Sequence, residues 1–313
     1  MQVADQVTKS LRRPLLALAE NDRIEGLMRR NGVSKGLVRR FVAGEDLDTA
    51  IVAVRSLADQ SITSTLDLLG ENVETTEAAR AAVDAYVVIL DRLAAAGLEP
   101  NISVKLTMVG LDAGPDVARE NMVPILERAK EVGGFVRIDM EGSAYTGVTI
   151  DITEALHDRF PDQVGTVIQS YLRRSADDVE RMIRRGARVR LVKGAYAEPA
   201  EIAFTDRREV DESYRRLMLR LLEAGAYPAL ATHDADLIGA ARHYSAERGI
   251  TPDRYEFQML YGVRREMQRT LVQGGYRMRV YVPYGTEWYP YFTRRIAERP
   301  ANALFVLRQL VSG

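Results

Sequence analysis

No cysteine occurs anywhere in the 313 residues, which excludes disulfides, thiolate metal sites and a cysteine nucleophile together. The chain needs no oxidising compartment. Net charge is equally scarce: 43 Lys+Arg against 44 Asp+Glu leave −1. The whole offers no attraction to a phosphate backbone, so nucleic acid is not an expected partner. No apolar run approaches the ~20 residues of a membrane span. The N-terminal stretch MQVADQVTKSLRRPLLALAE also lacks the apolar core and small-residue cleavage site of a secretory signal. A cytoplasmic protein is expected, with surface contact to a membrane left open. Neither a G-x-S-x-G elbow nor a Walker-type glycine loop is present.

What is present is a 46% hydrophobic chain long enough to bury a large core. Residues 1–60 read as a helical N-terminal extension, with Leu11, Leu15, Leu18 and later Leu37, Val38 and Phe41 at helical spacing. Beyond them β-prone runs alternate with longer helical ones, the mark of repeated βα units. Eight strand candidates follow: 61–69, 101–106, 135–140, 165–171, 187–193, 228–232, 255–260 and 277–283. Each precedes a plausible helix; Ser175 and Asp178, for instance, give the Ser-x-x-Asp spacing of an N-cap. The expected fold is therefore α/β, a TIM-type (β/α)8 barrel over residues 61–313.

Alternation along a strand separates residues that face the barrel interior from those that face the helices. Ile102, Val104 and Leu106 assign Lys105 to the interior, and Val136, Ile138 and Met140 do the same for Asp139. By the same parity Asp67, Gln169, Arg190, Gln258 and Tyr281 turn inward, and Thr232 and His233 close the sixth strand. These residues fall toward the C-terminal strand ends, where barrel enzymes build their sites. One alternative is that they are polar filler, with Asp139 and Arg190 neutralising each other. Buried charge is costly unless paired or used, which favours a site. One histidine and two carboxylates make a thin metal-binding set, so no metal is expected. Lys105, Arg190 and Lys193 read instead as a strongly cationic mouth, suited to an anionic ligand or to a reaction that develops negative charge. In the last helix Tyr291, Arg294, Arg295 and Glu298 share one face at i, i+3, i+4 and i+7. Paired guanidinium groups can grip a carboxylate, although a solvated face with a local Arg295–Glu298 pair has the same spacing.

The motifs SVKLT (103–107), RIDME (137–141), IQSYLRRS (168–175), RLVKGAY (190–196), ATHD (231–234), EFQMLYG (256–262), RVYVPYGTEW (279–288) and YFTRRIAE (291–298), in this order and spacing, resemble the proline dehydrogenase family. The resemblance covers about residues 61–305. It implies a distorted barrel carrying non-covalent FAD, which oxidises L-proline to Δ1-pyrroline-5-carboxylate by hydride transfer from C5 to flavin N5. A membrane quinone then takes the electrons. It further implies the monofunctional bacterial form, with pyrroline-5-carboxylate dehydrogenase on a separate chain as functional partner and peripheral contact with the inner face of the cell membrane.

Position by position, the resemblance makes Asp139 and Arg190 the charged residues of the active centre. Lys105, Leu260, Tyr281, Tyr291, Arg294, Arg295 and Glu298 match substrate-contacting positions. Met140, Gln169, Arg190, Lys193, Gly194, Ala195, Thr232 and His233 match FAD-contacting ones. Arg190 would lie either at the flavin N1–C2=O edge or at N5. Gly194 would let the backbone approach the cofactor closely. Two other readings keep the barrel and change the chemistry: a lyase or aldolase using Lys105 as a Schiff base, and a non-catalytic barrel that binds an anionic metabolite.

Overall fold

The computed structural model describes residue 36 and residues 38–297. Eight strands, each parallel to its neighbours, close in sequence order into a barrel. They are β1 (Thr63–Leu68), β2 (Asn101–Val104), β3 (Phe135–Ile138), β4 (Val164–Gln169), β5 (Arg188–Val192), β6 (Ala229–Ala231), β7 (Glu256–Leu260) and β8 (Met278–Tyr284). Helix α1 (Leu47–Ala58) precedes β1. The helices that follow successive strands are α2 (Thr76–Ala95), α3 (Pro115–Glu131), α4 (Ser143–His157), α5 (Ser175–Arg185), α6 (Arg207–Ala224), α7 (Ala235–Glu247), α8 (Arg265–Gln273) and α9 (Trp288–Ala297).

All eight expected strands form, and the expected and observed ends differ by a residue or two. Lys105 and Asp139 consequently lie just beyond β2 and β3, not inside them. At β2 the cause is local, since the chain tightens into a 3₁₀ turn at Leu106–Val109 directly after Lys105. Arg190, Gln258 and Tyr281 instead sit in the middle of their strands. Strand tilt and stagger in a closed barrel bring the middle of one strand level with the end of another.

The helices form for ordinary reasons. In α2 the Thr75 side chain caps the first turn by accepting from the Ala78 N–H at 3.1 Å. Ala79, Ala82, Val83, Tyr86, Ile89, Leu90 and Leu93 make its buried stripe. The Ser175 cap is not formed: Arg174 is the N-cap residue of α5 and supplies no capping hydrogen bond. The Ser175 hydroxyl donates to the Gln169 carbonyl at 2.5 Å, and Asp178 accepts from Arg174 at 2.8 and 2.9 Å. Ser175 thus ties the end of β4 in place. Helix α1 buries Ala50, Val54 and Leu57 in the same core as the barrel helices.

Residues 38–45 also belong to the barrel body. Phe41 packs with Trp288 and Phe292 of α9, the indole N–H donates to Glu45 at 3.1 Å, and the Ala43 N–H donates to the Pro283 carbonyl at 2.9 Å. This apolar patch anchors α9 over the C-terminal end of β8.

Inside the barrel a second polar tier lies two residues below the first: Arg137 below Asp139, Glu256 below Gln258 and Arg279 below Tyr281. Glu256 is 2% exposed and Arg279 6%, and they pair at 2.9 Å. Gly165 makes room for this tier, because a Cβ there would stand 2.4 Å from the Arg188 carbonyl and 2.8 Å from the Arg137 guanidinium.

Candidate active site

Seen from the C-terminal strand ends, the interior residues form one connected cluster. Arg190 is 4% exposed and is bound on several sides. Its Nη1 donates to Asp139 Oδ1 at 2.7 Å, Nη1 and Nη2 both donate to the Ser103 hydroxyl at 3.1 Å, and Nε donates to Gln258 Oε1 at 2.6 Å. The other Asp139 oxygen accepts from the Tyr281 hydroxyl at 2.9 Å. Burial, with Asp139 adding to it, pushes the Tyr281 phenol well above its ordinary range, so it remains a hydrogen-bond donor. Its ring lies under the Arg190 guanidinium, 5.3 Å from centroid to Cζ.

Lys105 belongs to the same layer through Asp67, with Nζ to Oδ1 at 2.9 Å. Burial alone would lower the lysine pKa, but the carboxylates around it, Asp67 foremost, outweigh burial and the net shift is upward. A Schiff-base lysine needs the opposite, a depressed pKa that leaves the amine neutral. This geometry therefore opposes the lyase or aldolase reading.

The mouth is not strongly cationic. Four of the expected cations have carboxylates: Lys105 has Asp67, Arg190 has Asp139, Arg294 has Glu71 at 2.7 Å, and Lys193 has Asp211 at 2.5 Å and Asp234 at 3.0 Å. Glu71 comes from the loop after β1, Asp211 from α6 and Asp234 from the N-cap of α7. Strand parity cannot see residues in loops and helices, so these counter-ions were missed. Charge at the mouth is thus offset in pairs, with burial pushing the Asp67 carboxyl up against the pull of Lys105.

At the rim of β4–β7 the remaining residues are held by local bonds. Gln169 donates its amide to the Glu141 carbonyl at 2.8 Å, which leaves its oxygen free to accept from a ligand. The Thr232 hydroxyl accepts from the Asp234 N–H at 3.1 Å, and His233 Nε2 accepts from the Leu260 N–H at 3.0 Å. That last bond defines the imidazole as protonated on Nδ1 when neutral. Met140 is buried directly after Asp139, and Ala195 lies in the loop after β5. Gly194 has φ +119°, and a Cβ on it would stand 2.3 Å from the Tyr171 ring. Its clearance is taken up by that ring. Gly194→Ala is accordingly expected to cost on the order of 1–3 kcal/mol of stability. Denaturant unfolding checks this, and a variant as stable as the parent would refute it.

On α9 the Tyr291 ring is buried and carries Arg295 over its face at 5.4 Å. Arg294 pairs with Glu71, and the carboxylate, offsetting burial, holds the guanidinium pKa above its ordinary value. Glu298 lies outside the described residues. Two further residues went unread in the sequence. Glu141 binds Thr107 through both its backbone N–H (3.2 Å) and its hydroxyl (2.6 Å), and burial pushes its carboxyl pKa up. Tyr196 is mainly raised by burial and also feels Glu71, Arg294, Glu141 and Lys105, which places it among them. Both belong to quoted motifs, RIDME and RLVKGAY, and motif membership was the available signal.

Fold and site together define a (β/α)8-barrel enzyme with its charged residues collected at the C-terminal strand ends. The proline dehydrogenase family model matches residues 50–308, and the chain belongs to that family. The proline dehydrogenase of Deinococcus radiodurans is 42% identical over 306 residues, 96% of this chain and 98% of the relative. Proline dehydrogenase 1 of Bacillus subtilis is 40% identical over 301 residues, 96% and 99% of the two chains. Among solved structures, proline utilization A from Bdellovibrio bacteriovorus, inactivated by N-propargylglycine, superposes with a TM-score of 0.78 at 29% identity. The match covers 84% of this chain, which spans 32% of that protein. The activity that goes with this family is proline dehydrogenation. Among the described residues no helix is long and apolar enough to cross a membrane.

Proposed function

We propose that the chain oxidises L-proline to Δ1-pyrroline-5-carboxylate with non-covalent FAD, and that the electrons pass on to a membrane quinone. The observation that carries this reading is the buried Asp139–Arg190–Tyr281 cluster beside Lys105–Asp67, facing a helix that presents Arg294 and Arg295.

The residues at the ends of β4–β7 fit the cofactor. Lys193 offers a half-buried ammonium for a phosphate, Gln169 an amide oxygen, Thr232 a hydroxyl and His233 an imidazole. FAD, when bound, supplies the two-electron acceptor for the hydride that leaves C5. Arg190 provides a fixed cation where negative charge grows during that transfer, and its bonds hold it there in advance. Arg294, with Arg295 beside it, takes the proline carboxylate in place of Glu71 and so places C5 toward the barrel. Asp139 and Tyr281 close the site from below, and Tyr291 and Leu260 wall it. Loss of hydride from C5 of the neutral amine would leave C5=N as the protonated iminium, and its N–H proton would then pass to water. His233, already accepting from Leu260, is a contact group in this arrangement.

The relative inactivated by N-propargylglycine, a substituted amino acid, supports a substrate with an α-carboxylate. Peripheral membrane contact for quinone access, and a separate pyrroline-5-carboxylate dehydrogenase consuming the product, complete the proposal.

An absorbance spectrum tests it. The purified protein is expected to be yellow, and anaerobic L-proline is expected to bleach the flavin bands. A colourless protein, or one unaffected by proline, would overturn the proposal in favour of a non-catalytic metabolite-binding barrel.

A further inference from the structure

We infer that Gln258 is a positioning residue for Arg190: its side-chain amide, held from below by Glu256, sets the plane of the guanidinium. The inference rests on the role proposed for Arg190.

Gln258 is 3% exposed and touches the expected chemistry only through Arg190. Its Oε1 accepts from Arg190 Nε at 2.6 Å while its Nε2 donates to Glu256 Oε1 at 2.5 Å. An amide has unlike ends, so one orientation alone serves both partners: carbonyl to guanidinium, NH₂ to carboxylate. Glu256 cannot turn away. Arg279 Nε donates to both its oxygens, at 2.9 and 3.1 Å, and Arg279 is itself bound to Glu99 at 2.9 Å and to the Ser64 carbonyl at 2.8 Å. Burial raises the Glu256 pKa, but Arg279 outweighs it and the net shift is downward, so the acceptor stays charged.

The chain Glu99–Arg279–Glu256–Gln258 therefore runs up the barrel interior and ends on the Nε edge of Arg190. Asp139 and Ser103 hold only the Nη side. With those two contacts alone the guanidinium could swing about the Asp139 edge. The third contact fixes its tilt, and a misplaced cation loses much of its effect on developing charge. If Gln258 were packing alone, methionine would replace it.

The test uses the flavin-loaded protein and three variants. Gln258→Met removes both hydrogen bonds at similar volume. Proline-driven reduction of the bound flavin is expected to slow about tenfold, a fraction of the loss expected from deleting a direct donor. Proline KM should stay within about twofold, and the flavin midpoint potential should move to more negative values, which a packing role would not produce. Gln258→Glu keeps an oxygen toward Arg190 Nε. Its second oxygen would meet the charged Glu256 Oε1, which now accepts from the amide at 2.5 Å, so the single variant should stay slow. Adding Glu256→Gln, which restores a donor between the two side chains, should recover much of the lost rate.

Parent-like rate and potential in Gln258→Met, while proline still bleaches the parent, would overturn the inference alone. A parent that proline does not bleach would overturn the proposed function and this inference with it. If Gln258→Met does not fold, Gln258→Leu, which likewise offers Arg190 no acceptor, carries the same comparison.

Discussion

Replacing Arg190 with methionine is expected to slow proline-dependent flavin reduction by about 10²–10³-fold, the usual loss when a fixed donor is removed from a site of developing negative charge. The size follows from the absence of a substitute nearby. Lys105 is engaged with Asp67 and Lys193 with Asp211 and Asp234, so neither can move to Arg190's place without breaking a pair. Stability should fall as well. Asp139, whose side chain is 13% exposed, would lose its main partner, and breaking a buried pair on one side costs about 3–5 kcal/mol. The two effects separate in the double variant Asp139→Asn with Arg190→Met, which should regain stability but not rate. Stopped-flow reduction and thermal unfolding measure both. A single variant that reduces flavin at the parent rate would return Arg190 to the part of counter-ion for Asp139.

Arg294→Ala should raise proline KM by about 10- to 150-fold, the equivalent of losing about 1.5–3 kcal/mol of charge-assisted hydrogen bonding. Its kcat should change much less, because the carboxylate grip is made equally in the bound substrate and in the transition state. Some stability should be lost with the mostly buried Glu71 partner, but less than in Arg190→Met. Helix α9 is anchored through Trp288 and Phe292, and the Arg294 and Glu71 side chains are about a quarter exposed, at 24% and 25%. Steady-state kinetics with proline decide the matter, and an unchanged KM would reduce the Arg294–Glu71 pair to a structural tie.

Much of the barrel and part of the site can be read from residue order. Alternation of β-prone and helical runs identified every strand because each strand is apolar on its helix-facing side. It could not fix strand ends, which depend on where the ladder stops; Lys105 and Asp139 fall past that point. Parity found the inward set because barrel geometry imposes it on every strand. The same rule, applied two residues earlier, would have found Arg137, Glu256 and Arg279. The counter-ions were a different matter. Glu71, Asp211 and Asp234 come from loops and helices whose approach to the mouth is decided by packing, and so a balanced site read as a cationic one. Helical spacing likewise made Arg294 and Arg295 equivalent, whereas the fold gives one a carboxylate and lays the other on an aromatic ring.

The tie between Trp288 and Glu45 joins residues 243 apart in the chain, and the pairing of β1 with β8 also joins distant segments. Contacts of such sequence separation form only after a large loop-closure entropy has been met. Arg294, proposed above as the carboxylate ligand, rides on the helix that these contacts secure. Strands β2 to β7 can collect most of the charged cluster by pairing with near neighbours, but a chain folded only that far has no secured place for proline. If Arg294 holds the substrate, completion of its site is coupled to closure of the ring, and a part-folded chain would be silent toward proline.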